Sequence, residues 1–168
     1  DPRKGADLLI DVLKFLNFNR EDIQIVIFGK KNNFQNIFES TKFEIINLGK
    51  INSNKKLSNI YSAADIFVIP SRIESFGQTA AEAQSCGIPV IGFNIGGLKD
   101  IVDHNKNGIL IEPFNSKKMA LAIDDLLTNK EKFMRFSKAS RKNAVDNLDY
   151  RKIAKLHINF YKKILNYE

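Results

Sequence analysis

The sequence predicts an α/β fold: a parallel sheet with helices on both faces. Two observations carry this prediction. Short apolar runs alternate with helical patterns along almost the whole chain, and several runs are continuously apolar rather than alternating. Strands of that kind belong to a sheet covered on both sides, and the helices between them supply the crossovers that parallel strands need. Size agrees. With 168 residues, 43% of them hydrophobic and 13 of them Phe, the chain can bury the core of one domain spanning 1–168.

Each element follows from its local pattern. Leu8, Leu9, Val12, Leu13 and Leu16 recur at helical spacing and predict a helix over 5–18. Residues 23–28 form an apolar run closed by Gly29, as in a strand buried on both faces. A helix is predicted over 33–39 and a strand over 44–48. Ser53 or Asn54 caps the helix that carries Leu57, Ile60 and Tyr61. Residues 65–69 read as a strand stopped by Pro70, 76–86 as a helix closed by Gly87, and 88–93 as the next strand. Gly96 and Gly97 turn the chain into a short helix through Ile101, and 108–111 is the last strand. Met119, Ala122, Ile123, Leu126 and Leu127 mark a helix that starts at Asn115 or Ser116, and two more helices complete the chain.

Composition narrows the function. The single cysteine, Cys86, excludes an internal disulfide and a cysteine-based zinc cluster, which suits a reducing cytoplasm. No apolar run is long enough to cross a bilayer. The net charge of +7 is spread among Asn, Ile and Tyr residues rather than gathered in a block, and no nucleic-acid-binding motif accompanies it. Nucleic acid is therefore not an expected partner. The surplus charge reads as a solvated surface, with peripheral contact to an anionic membrane as the alternative.

One stretch, Pro70 to Ala83, concentrates the chemistry. It follows a strand and opens a helix, whose unpaired N–H groups and partial positive charge suit a phosphate. Gly77 has no side chain to keep a ligand from the backbone. Glu82 stands between Ala81 and Ala83, and a carboxylate can accept hydrogen bonds from two adjacent hydroxyls, as a ribose diol requires. Glu74, ahead of the helix, can do the same for a sugar ring on the far side of a diphosphate.

This stretch resembles the donor-site signature of the retaining glycosyltransferases of family four, which have the GT-B fold. Glu74 and Glu82, with seven residues between them, match the paired glutamates of that signature. Lys4-Gly5, Gly49-Lys50-Ile51, Tyr61-Ser62-Ala63-Ala64-Asp65, Gly87-Ile88-Pro89-Val90, Gly96-Gly97 and the run from Asp100 to Gly108 extend the match across about residues 1 to 130. The resemblance implies a Rossmann-like sheet forming the C-terminal half of a GT-B fold. It places the family's first strand, an arginine that partners Lys4 and an N-terminal acceptor domain outside this chain.

The resemblance also implies roles. Glu74 and Lys4 would be the catalytic pair, Glu74 on the transferred sugar and Lys4 on the diphosphate. Glu82 would bind the ribose hydroxyls, and the amides around Phe76, Gly77, Gln78 and Thr79 would meet diphosphate or sugar. The backbone at Ile51 would touch the base. The implied partners are a nucleotide-sugar donor and, through the absent domain, an acceptor sugar or lipid-linked sugar. No cofactor and no metal are implied. The implied setting is bacterial surface polysaccharide or lipopolysaccharide synthesis, in the cytoplasm or at the inner face of the plasma membrane. A non-catalytic nucleotide-sugar-binding module and a nucleotide-sugar epimerase on a similar fold are the alternatives. A hydride-transferring enzyme is disfavoured because no GxGxxG follows an early strand. The last helix, from Tyr150 to Tyr167, is expected to pack partly on the absent domain. Its Ile153, Leu156, Phe160 and Ile164 could equally serve this domain's own core.

Overall fold

The computed structural model describes residues 1–19, 21–29 and 41–165. After a 3₁₀ turn at Pro2–Lys4, the elements are α1 (Ala6–Phe15), β1 (Gln24–Ile27), β2 (Glu44–Asn47), α2 (Asn54–Ala63) and β3 (Phe67–Ile69). Then come α3 (Gln78–Ser85), β4 (Val90–Phe93), α4 (Leu98–Ile101), β5 (Gly108–Ile111), α5 (Ser116–Thr128), α6 (Lys130–Asn147) and α7 (Tyr150–Ile164). The helix predicted over 33–39 lies outside the described residues. The others stand where predicted; the last strand keeps its predicted bounds and most of the rest are shorter by one to three residues at an end, where hydrogen bonding frays.

Among the described residues all strand pairings are parallel, and β4 shows why the sheet holds the core. Its four residues are buried on both faces. Ile91 and Phe93 join a cluster with Val12, Leu13, Met119, Ile123, Leu126 and Phe136 from α1, α5 and α6. Val90 joins the opposite cluster, with Tyr61, Ala80, Ala83, Leu98 and Ile101 from α2, α3 and α4. Successive strand residues point to opposite faces, so one strand serves two apolar layers.

The α/β fold with parallel strands stands as predicted, and two details differ. The sheet is divided: β1 pairs with β2, and β3, β4 and β5 form a separate ladder. The division falls between β1 and β3, where Phe28 sits edge-on to Tyr61 at 5.5 Å and stacks on Phe67 at 6.4 Å, so rings instead of a strand join the halves. The run over 23–28 is also not buried on both faces. In β1, Ile25 and Ile27 are half-buried while Gln24 and Val26 are exposed, because the core cluster covers only one side of this two-stranded ladder.

The last helix brings a third correction. None of the described residues of α7 is buried, and Leu156, Phe160 and Ile164 are 62%, 59% and 59% exposed, so they do not serve this domain's core. No helix of the described residues is long and apolar enough to cross a membrane.

Candidate functional site

The predicted site residues gather where parallel α/β sheets hold ligands, at the carboxyl ends of strands. Residues 49–53 follow β2, 70–77 follow β3, and 94–97 follow β4. The 3₁₀ turn at Pro2–Lys4 is tied to the second of these loops. The Arg72 amide donates to the Arg3 carbonyl at 2.7 Å, and the Arg72 guanidinium reaches the Pro2 carbonyl at 3.1 Å and both carboxylate oxygens of Asp7 at 2.8 and 2.5 Å. That two-pronged bond from Arg72 holds the Asp7 carboxyl down at about 2.

This arrangement delivers Lys4 to Glu74. The ammonium donates to Glu74 Oε2 at 2.9 Å, with the lysine largely in solvent and the glutamate side chain only 12% exposed. Lys4 lies in the turn ahead of α1 and not in its first helical residues. Glu74 in turn is fixed by its own backbone. Its carbonyl accepts from the Gly97 amide at 2.9 Å, and a Cβ on Gly96, whose φ is +45°, would stand 1.9 Å from that oxygen. The glycine pair after β4 is thus the bed on which the Glu74 loop lies.

At Gly77 the chain turns into α3 with φ +92° and no side-chain cap, so the first amides of the helix are left for another acceptor. The space a side chain would fill at Gly77 is taken by Leu98 and Ile101, at 3.3 and 3.7 Å. Left-handed backbone and packing against α4 therefore account for this glycine. On the back of α3, Gln84 is fully buried. It donates to the Ile101 carbonyl at 3.1 Å and accepts from Asn143 at 2.7 Å, which locks α3 against α4 and α6.

Glu82 faces the other way. With Phe76, Gln78, Ala81, Ser85, Leu148 and Ile153 it lines a cleft of about 290 Å³. The Tyr61 hydroxyl donates to Glu82 Oε2 at 3.0 Å, and Gln78 donates to Oε1 at 3.3 Å. Tyr61 is only 2% exposed, and burial, followed by the Glu82 charge and hydrogen bond, drives its hydroxyl pKa far above the ordinary value.

The structure thus brings together Lys4 with Glu74, and Glu82 with Gln78 and Phe76, with Gly77 and Thr79 on the turn between the groups. Ile51 lies in the loop after β2 and belongs to neither. Leu148 and Ile153, which line the cleft, and Tyr61, which bonds Glu82 from α2, were not among the predicted site residues. Only Tyr61 carried a signal, a polar tip on a helix face predicted to be core. A larger, more open hollow of about 680 Å³, between α1 and the loop from Glu112 to Lys117, contains none of the predicted residues. Among the described residues, no three His, Cys, Asp or Glu side chains are grouped so as to hold a metal ion.

Parallel strands, a site at their carboxyl ends and two glutamates about a helix start define a parallel α/β domain with a candidate ligand site, and comparison with known proteins makes the class specific. The sequence model of the family described as glycosyl transferases group 1 matches residues 1–143, and the chain belongs to that family. It is 30% identical over 166 residues to an uncharacterised glycosyltransferase of Methanocaldococcus jannaschii, covering 95% of this chain and 42% of the relative. Sucrose-phosphate synthase from Thermosynechococcus elongatus superposes with a TM-score of 0.86 at 24% identity, over all of this chain and 44% of that one. The Anabaena protein HepE in complex with UDP-glucose superposes with a TM-score of 0.82 at 21% identity, over 97% of this chain and 46% of that one. The fold is that of GT-B glycosyltransferases, and the chain spans less than half the length of each of these proteins.

Proposed function

We propose that residues 1–168 are one nucleotide-sugar-binding domain of a retaining glycosyltransferase, which transfers a sugar from a nucleoside-diphosphate donor to an acceptor hydroxyl. One observation carries the reading: the Glu82 carboxylate lines a cleft on one side of the α3 N-terminus, while Lys4 and Glu74 meet in the loop before it. Ribose, diphosphate and sugar fall in that order along such a surface. Membership of the glycosyl transferase family and the UDP-glucose complex of the HepE protein support it.

Each residue then has a task. Glu82 accepts from the ribose hydroxyls, and Glu74 from hydroxyls of the transferred sugar. Bond breaking at the anomeric carbon pushes negative charge onto the leaving diphosphate. Lys4 and the uncapped amides of Gln78 and Thr79 stabilise that charge without a metal. The Ile51 backbone borders the base. The acceptor, a sugar or lipid-linked sugar, is held by a part of the protein outside this chain, and the exposed apolar residues of α7 are where that part packs. The domain alone therefore binds donor without turning it over. The setting is bacterial surface polysaccharide or lipopolysaccharide synthesis, on the cytoplasmic side, with the basic surface toward the membrane.

Calorimetric titration of the chain with UDP, GDP, ADP and their sugar conjugates tests this, with Glu82→Ala alongside. One nucleotide should bind selectively, and the substitution should weaken it by about 2 kcal/mol, the worth of hydrogen bonds to a charged acceptor. Equal binding of all three nucleotides, untouched by Glu82→Ala, would refute the reading.

A further inference from the structure

A carboxylate offers about four acceptor positions. In the free chain, Tyr61 takes one on Glu82 Oε2 and Gln78 takes one on Oε1. One position remains on each oxygen, which matches the two adjacent hydroxyls of a ribose. The two holders differ in stiffness. Gln78 is an exposed side chain one turn before Glu82 on the same helix. Tyr61 is clamped, with its ring edge-on to Phe28 at 5.5 Å and to Phe67 at 5.3 Å. Its hydroxyl therefore arrives at Glu82 from a fixed point on a different element, α2.

We propose that Tyr61 is a positioning residue of the donor site, whose hydroxyl anchors the Glu82 carboxylate so that its two remaining acceptor positions receive the 2′- and 3′-hydroxyls of the donor ribose. This rests on the donor-site reading above and adds to it a residue that touches no ligand. A buried tyrosine needs an acceptor in any case. What separates positioning from mere satisfaction is which property of the ligand the hydroxyl controls. If Tyr61 only stabilised the fold, its loss would weaken every nucleotide alike. If it aims Glu82, its loss weakens those that carry the diol more than those that keep one hydroxyl.

The test compares UDP, GDP and ADP with their 2′-deoxy counterparts on the unaltered chain, on Tyr61→Phe and on Glu82→Gln. Phenylalanine keeps the ring packing and removes only the hydroxyl. The ratio of the two dissociation constants is taken within one sample, so a partly unfolded preparation does not distort it. For the nucleotide that binds, the unaltered chain should favour the ribose form. Tyr61→Phe should cut that preference by about fivefold, the weight of one hydrogen bond, with affinity for the deoxy form kept within about twofold. Glu82→Gln should cut it further. A preference unchanged in Tyr61→Phe but lost in Glu82→Gln would overturn the role of Tyr61 and leave the donor site standing. Failure of the unaltered chain to bind any of the six compounds would overturn both.

Discussion

Lys4 and Glu74 neutralise one another in the free chain, at 2.9 Å. On the proposed reading, a diphosphate arriving at Lys4 must draw it from that carboxylate. Glu74→Gln should therefore tighten binding of the bare nucleoside diphosphate by about fivefold, the scale of a partly exposed ion pair. The sugar conjugate should gain less, because a neutral amide oxygen replaces the charged acceptor at position 74. Competition titrations with both ligands check this, and equal gains would contradict the pairing of roles. Tyr61 supplies a second observable. Its raised pKa means the folded state holds the hydroxyl proton longer than the unfolded state does. The resulting stability is whole below pH 10 and falls as the pH rises beyond it. In an ultraviolet titration, one of the four tyrosines should ionise only with alkaline unfolding, and Tyr61→Phe should abolish that late phase.

The connections of whole elements explain why those residues stay in place. Gly96→Ala would set a methyl group 1.9 Å from the Glu74 carbonyl at a φ of +45°, so the Glu74 loop has to move. A loss of about 3 kcal/mol, measured by denaturant unfolding, is expected from strain and overlap together. Gln84→Leu should remove about 2 kcal/mol, since two hydrogen bonds of the buried Gln84 are lost and only the Asn143 amide, at 3.2 Å, and that of Asn107 remain on the Ile101 carbonyl. The clasp between α1 and the β3–α3 loop depends on pH. Asp7 titrates at about 2, below its ordinary 3.8, so what Arg72 adds is present above pH 4 and disappears as pH falls through 2. Asp7→Asn should flatten the fall in melting temperature over that window. Both side chains stand partly in solvent, so the effect is small.

Elements of this kind were legible in the sequence wherever period and punctuation agreed. Apolar runs ending at Gly29, Pro70 and the Gly96-Gly97 turn announced β1, β3 and the entry to α4. The spacing of Glu74 and Glu82 marked the candidate site. Two things escaped. The Tyr61–Glu82 bond joins residues 21 apart on different helices, and helical periodicity reports only that Tyr61 faces inward. The exposure of β1 and α7 depends on what lies beside them, and an apolar side chain carries the same pattern whether its cover is its own domain or another. Ile153 shows the same limit, since its pattern fits the core or a domain contact alike and it lines the Glu82 cleft.

At the scale of the molecule, three features agree: a sheet divided between β1 and β3, a terminal helix with no buried described residue, and a chain less than half as long as the proteins it superposes on. On the proposed reading, all three fit the donor-binding domain of a glycosyltransferase. Leu156→Glu with Phe160→Glu should therefore leave the stability of this chain within about 0.5 kcal/mol, as for exposed positions generally. The central claim is that donor binds across the α3 N-terminus between Lys4 and Glu82. The most direct measurement is a nuclear magnetic resonance titration of the isotope-labelled chain with the nucleotide it prefers. The account predicts that the amide signals of Phe76 to Thr79, with those of Lys4 and Glu82, shift together and saturate. Shifts confined to the hollow at Glu112 to Lys117, with the Phe76–Thr79 amides unmoved, would contradict it.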